Sequence, residues 1–231
     1  MRSARRDHRT EPNAWDYAAG MALRHLYLHG FASGPQSKKG VAFADYFAQR
    51  GIAFDRLDLR VPSFERLRLS AMIEVAARAI GGPDDRAIVV GSSLGGLTAA
   101  QLAKRDPRVT RLVLLAPAFQ LMARWEQILG PAFDAWRTTG WREVLDYTTQ
   151  KPARVDYGFI EDASAIDVEF PDVKVPTLIL HGTRDDSVPI EQSRRFAAGR
   201  ANVELIELDD GHELTASLPR LLVETERFLL G

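Results

Sequence analysis

From Leu23 onward, short runs of apolar residues alternate with longer stretches in which apolar side chains recur every three or four positions. The short runs read as strands and the longer stretches as helices. Leu23–His29 predicts a strand, residues 30–37 a loop rich in Gly, Pro and Ser, and residues 39–50 a helix stopped by Gly51. Phe54–Leu59 predicts a second strand, and Ser70–Ile80 a helix closed by Gly81-Gly82-Pro83. Arg86–Val90, Leu94–Lys104 and Val109–Leu115 continue as strand, helix and strand. Thr177–His181, Gln192–Ala198, Val203–Leu208 and Leu218–Leu230 then give strand, helix, strand and helix. VTRLVLL and TLIL are almost continuously apolar, as expected of strands buried on both faces. Strict alternation of strand and helix implies right-handed crossovers and an α/β fold with a mostly parallel, doubly wound sheet.

Residues 118–170 interrupt this rhythm. The segment shows no clear strand, yet it holds Phe119, Trp125, Phe133, Trp136, Trp141, Tyr147, Tyr157, Phe159 and Phe170, including three of the four tryptophans. A structureless loop of that length does not suit a compact domain, so a helical insertion is expected, with candidates at Leu121–Leu129, Ala132–Arg137 and Trp141–Thr148.

Ahead of this pattern, residues 1–21 carry Arg2, Arg5, Arg6 and Arg9 beside Asp7, Glu11 and Pro12, without the apolar centre of a signal peptide. A disordered leader is expected there, followed by a single domain over residues 22–231. No run approaches the roughly 18 apolar residues of a membrane span, so a soluble, cytoplasmic protein is expected. Thirty Lys and Arg against 31 Asp and Glu leave a formal charge of −1, which gives no field to gather nucleic acid or an anionic membrane. Cysteine is absent, which removes thiolate metal sites and thiol nucleophiles. Five histidines without His-Glu-x-x-His spacing offer no metal site either, so no metal and no organic cofactor is expected.

Oxygen and nitrogen must therefore supply the chemistry. Gly91-Ser92-Ser93-Leu94-Gly95 lies between a strand and a helix, where a sharp turn would expose the Ser93 hydroxyl and crowd the backbone enough to need glycine on either side. The strand ending at His181 runs into Asp185 and Asp186, either of which places a carboxylate at the carboxyl edge of the sheet. The last strand runs into Asp209-Asp210-Gly211-His212, so His212 is the histidine placed to serve as a base. His8 falls in the leader and His25 within a strand, while His29 and His181 stand where their rings would brace loops. After the first strand, Gly30 lets the backbone bend so that the Phe31 N–H joins the Leu94 N–H in facing negative charge that develops next to Ser93.

The opening LYLHGFASGPQSKK, the elbow VGSSLGG and the order Ser93, Asp185, His212 resemble the α/β-hydrolase superfamily, in particular small bacterial serine esterases with a compact lid. The likeness extends over roughly residues 23–230. It implies a sheet of about six strands with helices on both faces and a short helical lid, formed by the insertion at about residues 118–170. The family pattern His-Gly-x-x-Asp-x-x-Val-Pro assigns the acid to Asp185 rather than Asp186. The implied activity is carboxylic ester hydrolysis through a Ser93–Asp185–His212 triad and an acyl-enzyme, acting on a small-molecule ester of small or medium acyl length. Thioester, amide or carbon–carbon bond hydrolysis by the same triad are the alternatives, followed by a ligand-binding protein without catalysis. Phe31, Phe119, Trp125, Trp136 and Trp141 are the expected pocket residues.

Overall fold

The computed structural model describes residues 21–231, so all of the expected leader except Met21 lies outside the described residues. Strands β1 (Leu23–Leu28), β2 (Phe54–Leu57), β3 (Arg86–Ser92) and β4 (Val109–Leu115) alternate with helices α1 (Lys38–Ala48), α2 (Leu69–Ile80) and α3 (Leu94–Arg105). After β4 come α4 (Leu121–Leu129), α5 (Pro131–Thr139), strands β5 (Trp141–Asp146) and β6 (Lys151–Asp156), and α6 (Gly158–Ile166). The chain then returns through β7 (Thr177–Gly182), α7 (Glu191–Ala197), β8 (Val203–Leu208) and α8 (Leu218–Leu230).

Six strands form one sheet in the order β2-β1-β3-β4-β7-β8, every pair parallel. The central strands bury both faces, which is why their sequences lack a polar stripe. Leu26 and Leu28 of β1, Val89 of β3 and Leu112 and Leu114 of β4 join a cluster with α2, α3 and the insertion. Their neighbours Tyr27, Ile88, Val90, Val113 and Leu115 point the other way, onto Phe43 and Phe47 of α1 and Leu221 and Leu229 of α8. Full burial of each aliphatic side chain contributes about 1.5–3 kcal/mol. Among the described residues, no helix is long and apolar enough to cross a membrane.

The insertion departs from the sequence-based expectation in two respects. Trp141–Thr148 is not a helix: β5 and β6 pair antiparallel as a two-stranded hairpin, from Trp141 opposite Asp156 to Asp146 opposite Lys151. The insertion is therefore mixed, a hairpin among three helices, of which α6 is not among those expected from the sequence. Trp141, Val144 and Leu145 have helical spacing, which hid the strand. In the structure Arg142, Val144 and Asp146 form the more covered face, while Glu143 and Leu145 are exposed. With Arg142 and Asp146 on the inner face, the alternation of β5 is not an alternation of hydrophobicity. Asp146 also builds the turn. Its side chain accepts the Thr148 N–H at 2.8 Å and its carbonyl accepts the Gln150 N–H at 2.8 Å.

Two polar contacts fasten the insertion beside the start of α2. Arg68 makes a forked bond to Asp156 at 2.7 and 2.9 Å, and the Asp162 carboxylate accepts both the backbone N–H and the hydroxyl of Ser70. Within it, Trp125, Phe133, Trp136, Val155 and Phe159 extend the core that lies on the sheet.

Candidate active site

The strand-to-helix turn after β3 holds Ser93 at φ 55°, ψ −116°, a backbone conformation that an L-residue adopts only under constraint. The constraint is visible in the neighbours. The Ser93 N–H donates to the Leu115 carbonyl of β4 at 2.9 Å, and the Ser93 carbonyl accepts from Gly96, Leu97 and Ala118. A Cβ on Gly91 would collide with the Gly95 carbonyl oxygen, and one on Gly95 with the Leu28 carbonyl oxygen, so both positions require glycine. The glycines thus let β1, β3 and α3 close around the serine and leave its hydroxyl at the carboxyl edge of the sheet.

That hydroxyl lies 3.0 Å from His212 Nε2, and His212 Nδ1 lies 2.7 Å from Asp185 Oδ2. The partners fix the proton positions: Nδ1–H donates to the carboxylate, leaving Nε2 to accept from the serine. The loops after β3, β7 and β8 therefore bring Ser93, Asp185 and His212 into one hydrogen-bonded line. Asp186 points elsewhere. It is exposed, and its Oδ1 accepts the neighbouring Ser187 hydroxyl at 3.2 Å.

Asp185 has a fully buried side chain and is saturated with donors. Its Oδ1 accepts the Ser187 and Val188 N–H groups at 3.0 and 2.7 Å, and its Oδ2 faces His212 and the buried His181. Burial opposes the carboxylate charge, but the hydrogen bonds from His181, His212 and the Val188 N–H outweigh it and hold the group well below the usual carboxylate range.

His29 and His181 both brace loops. His29 Nδ1 donates to the Gly30 carbonyl and Nε2 accepts the Leu59 N–H, each at 2.9 Å, which fixes the loop carrying Phe31. Burial pushes its imidazole down, towards the neutral form. His181 does more than its position in the sequence suggested, since its ring touches Asp185 itself at 3.0 Å. The His-x-x-x-Asp spacing at a strand end is the signal that could have identified this pair. Lys39 is a second contact not foreseen from sequence. From the start of α1 its ammonium reaches across to donate to the Glu213 carbonyl at 2.8 Å, tethering the residue that follows His212.

A cleft of about 510 Å³ opens over Ser93 and His212, with apolar Phe31, Leu121, Trp125 and Val188 and polar Gln36, Lys38, Lys39 and Thr215 among its lining residues. A second cavity of about 560 Å³ shares Phe31, Trp125, Tyr147 and Ser187 with it and continues along Ile128, Leu129, Val144 and Leu145. Of the five aromatic residues expected to line the pocket, Phe31 and Trp125 do so, their rings edge to face at 5.3 Å. The other three are placed differently. Phe119 is buried and stacked on Phe196 at 4.5 Å, and buried Trp136 donates its indole N–H to the Val155 carbonyl at 3.0 Å. Trp141 lies under the Arg154 guanidinium on the hairpin, 4.4 Å from carbon to ring centroid. These rings pack the insertion instead of facing the serine, because an aromatic side chain beside an unpaired strand or helix face gains more from burial than from lining a wet cleft. The Gly30 Cα stands next to the elbow: a Cβ there would lie 3.3 Å from Ser93 Cβ. The Phe31 backbone is thereby kept close to the serine, at the cleft wall.

Comparison with solved structures places this architecture among known folds. The mouse α/β-hydrolase domain-containing protein 10 superposes with a TM-score of 0.73 at 21% identity, over 92% of this chain and 90% of that one. Est1E from Butyrivibrio proteoclasticus, solved with ferulic acid bound, gives 0.74 at 23% identity over 90% and 88% of the two chains. The esterase domain of a Rhodothermus marinus protein gives 0.61 at 21% identity over 91% and 88%. At identities this low, the superpositions show a shared fold alone, that of the α/β-hydrolases. No curated protein matches the sequence. The model of the uncharacterised protein family UPF0227 matches residues 24–223, and the chain belongs to that family.

Proposed function

We propose that this protein is a serine hydrolase that cleaves carboxylic esters of small or medium acyl length through an acyl-enzyme on Ser93. The observation that carries the proposal is the hydrogen-bonded line from Ser93 through His212 to a buried, ionised Asp185, set at the floor of a cleft. A serine hydroxyl is a weak nucleophile unless a base takes its proton as it attacks, and His212 Nε2 stands at bonding distance to do so. Asp185 fixes the imidazole with Nε2 unprotonated and stabilises the imidazolium once it forms.

In the reaction, Ser93 Oγ bonds to the ester carbonyl carbon while its proton passes to His212. The carbonyl oxygen becomes an oxyanion and is stabilised by the Phe31 and Leu94 N–H groups. The carbon–oxygen bond to the alcohol then breaks, and His212 returns the proton to the leaving oxygen. Water, deprotonated by the same imidazole, attacks the acyl-enzyme and releases the acid and free Ser93. Phe31, Leu121, Trp125 and Val188 supply the apolar wall against which the acyl chain lies.

A chain-length series of p-nitrophenyl esters, run beside a thioester and an amide of the preferred acyl group, tests this reading. The expected outcome is ester turnover that falls by about 10³-fold or more in Ser93→Ala, with the ester favoured over the amide. No ester turnover by the wild-type protein, or undiminished turnover by the variant, would overturn it.

A further inference from the structure

We propose that His181 is a positioning residue for the hydrolysis, sharing Asp185 with His212 and thereby setting how firmly that carboxylate holds the His212 imidazole. The inference goes beyond the esterase reading but rests on it, since it takes His212 as the general base.

His181 ends β7, four residues before Asp185, and its side chain is fully buried. Its Nε2 faces two acceptors, the Val188 carbonyl at 2.9 Å and Asp185 Oδ2 at 3.0 Å, so Nε2 carries a proton. Its Nδ1 lies 2.7 Å from the hydroxyl of Ser193, a fully buried residue of α7 that donates to it. These contacts align five side chains in one chain of hydrogen bonds: Ser193, His181, Asp185, His212 and Ser93. The same carboxylate oxygen, Oδ2, serves both imidazoles.

This sharing has a chemical consequence. A carboxylate stabilises a neighbouring imidazolium by its charge, and each donor that it already accepts withdraws part of that charge. His181 thus restrains Asp185 in place and moderates its pull on the His212 proton. With the His181 donor removed, Asp185 Oδ2 binds His212 alone and holds its imidazolium more firmly. Other charges also face this group. Arg124 of α4 and Lys39 of α1 act on Asp185, and Glu207 of β8 acts on His181. Substitution at His181 leaves Arg124 and Lys39 in place beside Asp185 and ends only the Glu207 interaction, which bears on His181 itself, so a shift measured there reports the shared oxygen.

Two replacements separate donor from bulk. His181→Gln carries an amide N–H towards the position of Nε2, within reach of Asp185, whereas His181→Asn ends near the position of Nδ1 and keeps a partner only for Ser193. Thermal melts establish folding, and the pH profile of kcat/KM for p-nitrophenyl butyrate is the readout. In His181→Asn the acid limb is expected to move up by about half a pH unit, with kcat reduced by about tenfold or more and KM changed less. His181→Gln is expected to return the limb towards the wild-type position. If the Asn variant does not fold, Ser193→Ala takes its place. It leaves the imidazole present but frees Nδ1, and the limb moves in the same direction by a smaller step. A folded Asn or Ser193→Ala variant whose limb coincides with that of the wild type overturns the role of His181 while leaving the esterase reading intact. Absence of ester turnover by the wild type overturns the esterase reading instead.

Discussion

Replacing Asp185 by asparagine tests the electrostatics of the site with almost no change of shape. The carboxylate accepts four donors: the Ser187 and Val188 N–H groups on Oδ1, and the His212 and His181 imidazoles on Oδ2. An amide has one acceptor oxygen and one NH₂ group, so one pair of donors must lose its acceptor. If the NH₂ faces the imidazoles, His212 Nδ1 has to become an acceptor, its proton moves to Nε2, and the base towards Ser93 is lost. If it faces the backbone, two N–H groups meet a donor at about 1–3 kcal/mol each. The imidazolium formed during the reaction then faces a neutral oxygen in place of a charge. Either way the transition state loses about 4–5.5 kcal/mol, corresponding to about 10³–10⁴-fold in kcat at neutral pH. The assay is kcat and KM for one p-nitrophenyl ester, with Asp186→Asn as the matched control. Asp186 is exposed and, among the described residues, its carboxylate bonds Ser187 and not His212, so its variant should stay within about twofold of wild type. An Asp185→Asn protein within tenfold of wild type, or an Asp186→Asn protein that loses more, would refute the assignment of the acid.

Further outcomes follow from the same contacts. Gly91→Ala drives a Cβ into the Gly95 carbonyl and should unfold the elbow or abolish activity, read by melting temperature and turnover together; a fully active, equally stable variant would contradict the packing described. Trp136→Ala removes a buried indole and its bond to Val155, and urea titration should show a loss of about 3–5 kcal/mol, mostly from the insertion. His29 is held neutral by burial, so its folded value lies below 6.5. Its contribution to stability is complete above that pH and declines as pH falls, because only the unfolded chain then takes up the proton. The melting temperature should therefore drop between about pH 7.5 and pH 5.5, and drop less in His29→Gln; equal slopes would refute the assignment.

The sheet was legible in the sequence because its strands are buried on both faces. The bounds of Val109–Leu115, Val203–Leu208 and Leu218–Leu230 agree with the structure: the first stops before Ala116-Pro117, the second at Asp209 and the third at Gly231. The grouping of Ser93, Asp185 and His212 was also legible, as each follows a strand at the same edge of the sheet. The hairpin was not, because two of the three more covered positions of β5 are Arg142 and Asp146, which meet the Trp136 ring and the N–H groups of the turn. Nor could spacing alone distinguish the aromatic residues that face the cleft from those that fill the insertion. Phe31 and Trp125 differ from Phe119, Trp136 and Trp141 only in what the fold places beside them. His181 and Lys39 escaped for a related reason. Their importance comes from a carboxylate and a carbonyl that the loops deliver to them, His181 through the turn at Val188 and Lys39 across 174 residues of sequence.

The central claim is that Ser93 is a nucleophile activated by His212. It is tested most directly by exposing the protein to a serine-reactive fluorophosphonate and measuring the intact mass and the modified peptide. The account expects one stoichiometric addition on the peptide containing Ser93 in the wild type and none in folded Ser93→Ala. Equal labelling of both proteins, or an unlabelled wild type, would contradict it.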